Sequence, residues 1–248
     1  ATFDSSLLPG ADNIYDLGFN SSPKWKDAAF SGNLFVAGNV SIGTTTPSEK
    51  LTVVDGNISN INNTPIRVGA VDLDPGENNG DTIIISGRYA YVVTDTTPAR
   101  VVIIDVSNPS SPTKTGTIIL NSGEIGGAIT ISGRYAYVTA FTTPTKVITI
   151  DISNPSSPTR VGTVTLDSGE NSGESIAVSG RYAYVITNTI PARVVTIDIS
   201  NPSAPARVGA VTLNSGENSG DTIIISGRYA YVTTNTTPAK VITIDISN

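Results

Sequence analysis

Cysteine, histidine and methionine are absent from the 248 residues, and tryptophan occurs once. The chain can therefore form no disulfide, offers no thiol nucleophile or imidazole base, and cannot build a zinc site of the His/Cys type. Cations are scarce as well: 15 Lys and Arg against 21 Asp and Glu leave a net charge of −6, with no Lys/Arg-rich run. That balance excludes nucleic-acid binding through the surface as a whole. No apolar stretch reaches the ~18 residues that a membrane-spanning helix needs. Val, Ile and Thr are plentiful, and 23 Gly and 15 Pro supply turn punctuation. The composition is that of an all-β protein.

One phrase organises the text. Ser-Gly-Arg-Tyr-Ala-Tyr-Val begins at Ser86, Ser132, Ser179 and Ser226, at intervals of 46, 47 and 47 residues. Each copy divides into four strand-length runs, which in the third copy are Arg160–Leu166, Ser175–Ser179, Tyr182–Thr187 and Arg193–Ser200. The closing Asn201-Pro202-Ser203-Ala204-Pro205 cannot continue a ladder, because proline lacks the amide donor. Four short antiparallel strands in a unit of this size make a propeller blade. A β-solenoid would use shorter coils, and helical repeats would show a 3.6-residue period. The predicted fold is all-β: a four-repeat β-propeller over 66–248.

The repeat resembles the LVIVD repeat of β-propellers. The residues that carry the likeness are Tyr89-Ala90-Tyr91-Val92, followed by Val102-Ile103-Ile104-Asp105-Val106-Ser107-Asn108-Pro109, with matching text in the other three copies. The resemblance implies an inner strand at Thr82–Ser86, a second at Tyr89–Thr94, a third at Arg100–Ser107 and an outer strand at Lys114–Leu120. On that scheme the series opens with an outer strand at 67–73 and ends with a third strand at Lys240–Ser247. Pairing the two would close a four-bladed ring within one chain and leave no free edge. Two other arrangements use the same strands: an eight-bladed ring of two chains, or a filament in which the early strand completes the next molecule.

Residues 1–55 read differently, and 56–65, rich in Asn and Gly, read as a linker. Asn13-Ile14-Tyr15-Asp16-Leu17-Gly18, Trp25-Lys26-Asp27 and Ser31-Gly32-Asn33-Leu34-Phe35-Val36-Ala37-Gly38-Asn39-Val40 alternate short apolar pieces with Gly-Asn corners. Over residues 8–54 the text resembles the stalk that precedes the chaperone domain in trimeric phage-type tail fibres and related bacterial surface fibres. That likeness implies self-association through residues 1–65, as a trimer or a filament, and an extracellular or cell-surface location. A β-rich cap on the repeat domain is the other reading of the same segment.

Two sets of charged residues recur with the repeat. Asp105, Asp151, Asp198 and Asp245 stand before a Ser, where a carboxylate can accept the amides of the following turn. Arg88, Arg134, Arg181 and Arg228 sit at the hairpin corners, as an anion-binding ring, as solvated groups or as local partners of those carboxylates. Just before the inner strands stand Asp81, Gly127, Glu174 and Asp221. In a closed ring Asp81, Glu174 and Asp221 would surround the axis as an oxygen-only site for Ca²⁺ or Na⁺. Otherwise they form a solvated acidic rim balanced by Arg100, Lys146, Arg193 and Lys240. Near-identical repeats give near-identical environments, which suits poorly the separate acid and base of a carboxylate enzyme. No catalytic residue and no cofactor is expected. The expected function is a non-enzymatic extracellular structural or adhesive surface protein, a fibre-type stalk carrying a propeller that assembles or presents repeated loops. Alternatives are a propeller binding a cell-surface glycan or small ligand, and a filament subunit joined by strand complementation. No nucleic acid and no membrane span enter either picture.

Overall fold

A computed structural model describes residues 65–247, and no helix occurs among them. The fibre-like segment and nearly all of the linker lie outside the described residues. The rest forms four antiparallel sheets whose strands follow one another in chain order. The first sheet holds β1 (Gly80–Ser86), β2 (Tyr89–Thr94), β3 (Arg100–Asp105) and β4 (Thr113–Ile119). The second holds β5 (Ile125–Ser132), β6 (Tyr135–Phe141), β7 (Lys146–Asp151) and β8 (Thr159–Thr165). The third holds β9 (Gly173–Ser179), β10 (Tyr182–Thr187), β11 (Arg193–Asp198) and β12 (Ala206–Thr212). The fourth has only β13 (Gly220–Ser226), β14 (Tyr229–Thr234) and β15 (Val241–Asp245).

Local chemistry sets these boundaries. The inner hairpin of the first sheet pairs Ser86 with Tyr89, leaving Gly87 and Arg88 as a two-residue turn. Gly87 has φ 59°, and the same value or one close to it recurs at Gly133, Gly180 and Gly227. A positive φ at the first turn position alone is the type II′ pattern, whose twist matches that of the flanking strands. The third strand stops at Asp105, two residues before the expected end. There the carboxylate takes the Ser107 amide at 2.9 Å and turns the chain out of the ladder.

Side chains alternate between the two faces of every sheet and interleave with those of the next. Tyr91, Val101 and Ile103 of the first sheet pack against Ala136, Val138 and Ile148 of the second. Tyr137 of the second meets Ala183 and Val185 of the third, so the small Ala between two tyrosines makes room for the preceding sheet. Burying one such Val or Ile contributes about 1.5–3 kcal/mol. The inner strands of successive sheets lie against one another, while the outer strands diverge, so the sheets fan about a common inner edge.

The array is not closed. Among the described residues, 67–73 form no strand and β15 has no partner on its outer side. The expected pairing of 67–73 with the last sheet is therefore replaced by another contact. Val71 and Leu73 pack on Ala90, Val92, Val102 and Ile104, on the free face of the first sheet. The packing between sheets fixes how far each turns from the last, and the three such steps among four sheets leave the two end faces apart. Ile83 is 63 % exposed on the first sheet and Val241 is 72 % exposed on the last.

Candidate functional site

The loops entering the inner strands and those between the second and third strands share one face, as their hydrogen bonds establish. The Asp95 amide donates to the Asn79 carbonyl at 2.8 Å, Asn188 to Ser172 at 2.9 Å, and Asn235 to Ser219 at 2.8 Å. Asn79, Ser172 and Ser219 hold φ near 50°, a left-handed turn in three of the four copies. In the second-to-third-strand loops a threonine hydroxyl bonds the carbonyl two residues on. Thr96 donates to Pro98 at 3.0 Å and Thr189 to Pro191 at 2.9 Å. The same Thr-x-Pro frame is thus displayed once per sheet, with Ile190 among its most exposed side chains.

The acids proposed for a cation stand at this edge but do not converge. Among the described residues no three His, Cys, Asp or Glu side chains form a metal-holding group. Asp81 follows the first residue of the first sheet and accepts the Thr82 hydroxyl at 3.4 Å. Glu174 accepts the Asn188 side-chain amide at 3.1 Å. Asp221 lies on the last sheet with the Thr222 and Thr233 hydroxyls at 3.3 and 3.4 Å. The closed ring that would draw these carboxylates about one axis is not formed among the described residues.

A second acidic series recurs in the turns that enter the inner strands. Glu77, Glu124 and Glu170 are buried. Each folds back on its own turn, accepting the amide three residues earlier: Asp74 at 2.9 Å, Asn121 at 2.8 Å, Asp167 at 2.9 Å. Their main cations are not the third-strand Arg100, Lys146, Arg193 and Lys240 but residues of the outer strand. Lys114 reaches Glu77 at 2.6 Å. Arg160 binds both oxygens of Glu124, at 2.7 and 3.1 Å, and Arg207 binds both of Glu170, at 2.8 and 2.6 Å. For all three glutamates burial pushes the carboxyl pKa up, and the bonds from these cations and amides outweigh it, leaving each below its ordinary value. The signal missed was periodic: Glu at 77, 124, 170 and 217, and a cation at 67, 114, 160 and 207.

At the opposite corners the expected local pairs are present. Arg88, Arg134, Arg181 and Arg228 bond Asp105, Asp151, Asp198 and Asp245, and each guanidinium lies 5.1–5.3 Å over the ring of the following Tyr. The arginine bond, with the Ser107 and Ser247 hydroxyl and amide contacts, pulls Asp105 and Asp245 down to about 2. Asp151 and Asp198 are lowered further by the same contacts. A carboxylate so held stays charged and is occupied as a turn staple.

The fold is propeller-like in its solved relatives also. The computationally designed Ika4 protein superposes at a TM-score of 0.53 with 9 % identity, covering 74 % of this chain and all of its own. A periplasmic gluconolactonase of Pseudomonas aeruginosa gives 0.51 at 15 % identity, covering 64 % of this chain and 50 % of that one. A putative 6-phosphogluconolactonase of Bacteroides fragilis gives 0.51 at 16 % identity, covering 67 % and 53 %. The chain thus spans about half the length of both bacterial proteins, and identities this low carry the fold alone. No curated protein matches. The repeat itself is decisive: the LVIVD repeat model matches residues 79–118, 126–166, 172–212 and 219–248, and the chain belongs to the LVIVD-repeat family.

Proposed function

We propose that this chain is a non-enzymatic, extracellular structural or adhesive protein, in which a fibre-type N-terminal segment carries an LVIVD-repeat head that displays repeated loops. The observation that supports this most is the occupation of the recurring carboxylates. Glu77, Glu124 and Glu170 are buried ion-pair partners, and Asp105, Asp151, Asp198 and Asp245 are turn staples. Acid–base catalysis needs two groups whose surroundings push them apart, and these sets are alike from sheet to sheet. What differs little and faces outward is the loop frame around Thr96, Thr142, Thr189 and Thr236, suited to many weak, identical contacts that add by avidity.

The gluconolactonase likeness makes lactone hydrolysis the enzymatic rival, and a glycan-binding head is the other. The full chain, assayed on gluconolactone and laid over a glycan array, tests all three. No turnover and no specific sugar, with retention on whole-cell surfaces, is the expected result. Sustained hydrolysis would overturn the non-enzymatic reading, and a defined sugar specificity would replace display with glycan recognition.

A further inference from the structure

We propose that Lys114 condenses with Asp74 to form an isopeptide bond, a covalent brace inside the first repeat, with Glu77 carrying the proton. The bond goes beyond the surface role above and is tested apart from it. Molecular mass reports on the bond and the binding screen on the role, so either can fail alone.

The chain has no cysteine, so a cross-link within it must use other side chains. An amine and a carboxylate can join without an oxidant, because their condensation only releases water. The turn that enters the first sheet brings such a pair together. The Lys114 nitrogen lies 2.5 Å from an Asp74 carboxylate oxygen and 2.6 Å from a Glu77 one. Lys114 comes from β4, 40 and 37 residues beyond the two acids. Three bonds hold the group in place. The Asp74 amide donates to one Glu77 carboxylate oxygen at 2.9 Å, and the Thr117 hydroxyl donates to the other at 2.7 Å. The Glu77 amide donates to the Asp74 carbonyl at 2.9 Å. The Glu77 and Lys114 side chains are only 4 % and 22 % exposed, so little water competes for them. Well-oriented groups held at contact react with effective concentrations that reach about 10⁵–10⁸ M, which favours an amide that a free amine and a free acid do not form in water.

Burial pulls the Lys114 pKa down and the bonds to Asp74 and Glu77 outweigh it, so the amine begins as an ammonium. Glu77 takes one of its protons, and the freed lone pair of the nitrogen attacks Asp74 Cγ. The tetrahedral carbon then expels one oxygen as water, which carries off the proton on Glu77 and a second one from the nitrogen. One N–C bond forms, one C–O bond breaks, and an ammonium and a carboxylate become a neutral amide and water. Glu77 ends as it began. The other turns lack the nucleophile. Their outer-strand cations are Arg160 and Arg207, whose guanidinium groups stay protonated. Arg207 lies 3.1 Å from Asp167 and 2.6 Å from Glu170, so the third turn repeats the arrangement with only the amine replaced. Among the described residues no other lysine lies against two carboxylates, since Lys146 and Lys240 each meet one. The bond ties the turn entering the first sheet to that sheet's outer strand, and restricts the unfolded chain as a disulfide does.

The full chain, unfolded after purification and weighed intact, should be one water lighter than its sequence. Proteolysis should give one branched peptide joining Lys114 to Asp74. A chain at its full sequence mass would overturn the proposal, and a branch at Glu77 would overturn the choice of acceptor. Lys114→Arg keeps an ion pair of the kind Arg207 makes and should restore the full mass. A water still missing from that variant would place the loss elsewhere and overturn the bond. Glu77→Gln should slow bond formation at least about tenfold, read from intact mass against time after synthesis. An unchanged rate would remove Glu77 as the proton carrier.

Discussion

Arg160 lays its guanidinium across both carboxylate oxygens of Glu124, a side chain with no exposure to solvent. The two stand 36 residues apart in the chain and tie the turn that enters the second sheet to that sheet's outer edge. Removing one member of a buried pair strands the other and costs more than the pair is worth. Glu124→Ala should therefore destabilise the domain by about 3 kcal/mol, measured by urea unfolding. Replacing both, Glu124→Leu with Arg160→Met, should recover most of that loss. A double variant no more stable than the single one would show that the turn amide of Asn121, not the cation, is the essential contact.

The four corner aspartates predict an acid limb in the stability profile. Their folded pKa values lie below the ordinary aspartate value, with Asp105 and Asp245 at about 2. A depressed carboxyl contributes stability that is complete above its unfolded pKa and is lost as pH falls through the folded one. Melting temperature should thus be level from pH 7 to about 5 and decline from about pH 4 toward 2. Arg88→Gln and Arg181→Gln together should flatten that decline, since Asp105 and Asp198 would then titrate closer to their unfolded values. An unaltered acid limb in that variant would assign it to the buried glutamates instead.

Strand placement was readable because its causes are local. The Gly-Arg corner, the Tyr-Ala-Tyr alternation and the Asp-x-Ser turn each act within a few residues. The expected strands at Tyr89–Thr94, Arg100–Ser107 and Lys114–Leu120 accordingly fall within two residues of β2, β3 and β4. Closure was not readable, because it depends on the rotation from sheet to sheet, which the packing of Tyr91 against Ala136 and Val138 sets. Burial of Glu124 was hidden for a related reason. Its immediate neighbours, Asn121, Ser122 and Gly123, are those of a solvated turn, and its partner arrives from the far strand of the same sheet.

Asp81, Glu174 and Asp221 give a prediction about cations. Separated along an open fan, they offer no shared oxygen cage, and a lone surface carboxylate binds Ca²⁺ weakly. Titration with Ca²⁺ to about 1 mM should give no saturable heat, at a concentration where extracellular calcium modules are already filled. The melting temperature should not rise with added metal, as it would for any ligand that binds the folded state alone. A saturable signal lost in Asp221→Asn would show that these carboxylates converge in solution.

The glycines of the outer strands separate packed sheets from the end of the array. A methyl group on Gly162 would collide with the Pro202 carbonyl and crowd the Pro205 ring, because β8 runs hard against the closing turn of the third sheet. Neither backbone can yield without disturbing the sheet interface, so Gly162→Ala should cost about 3 kcal/mol, at the upper end for overpacking. Gly209 holds the same strand position on β12, yet nothing lies within 4 Å of the Cβ it would gain. Gly209→Ala should be close to neutral, or slightly stabilising through the lower entropy of the unfolded chain. Chemical denaturation of the two variants side by side gives the comparison. Equal losses would mean that a further turn covers Gly209 as Pro202 covers Gly162.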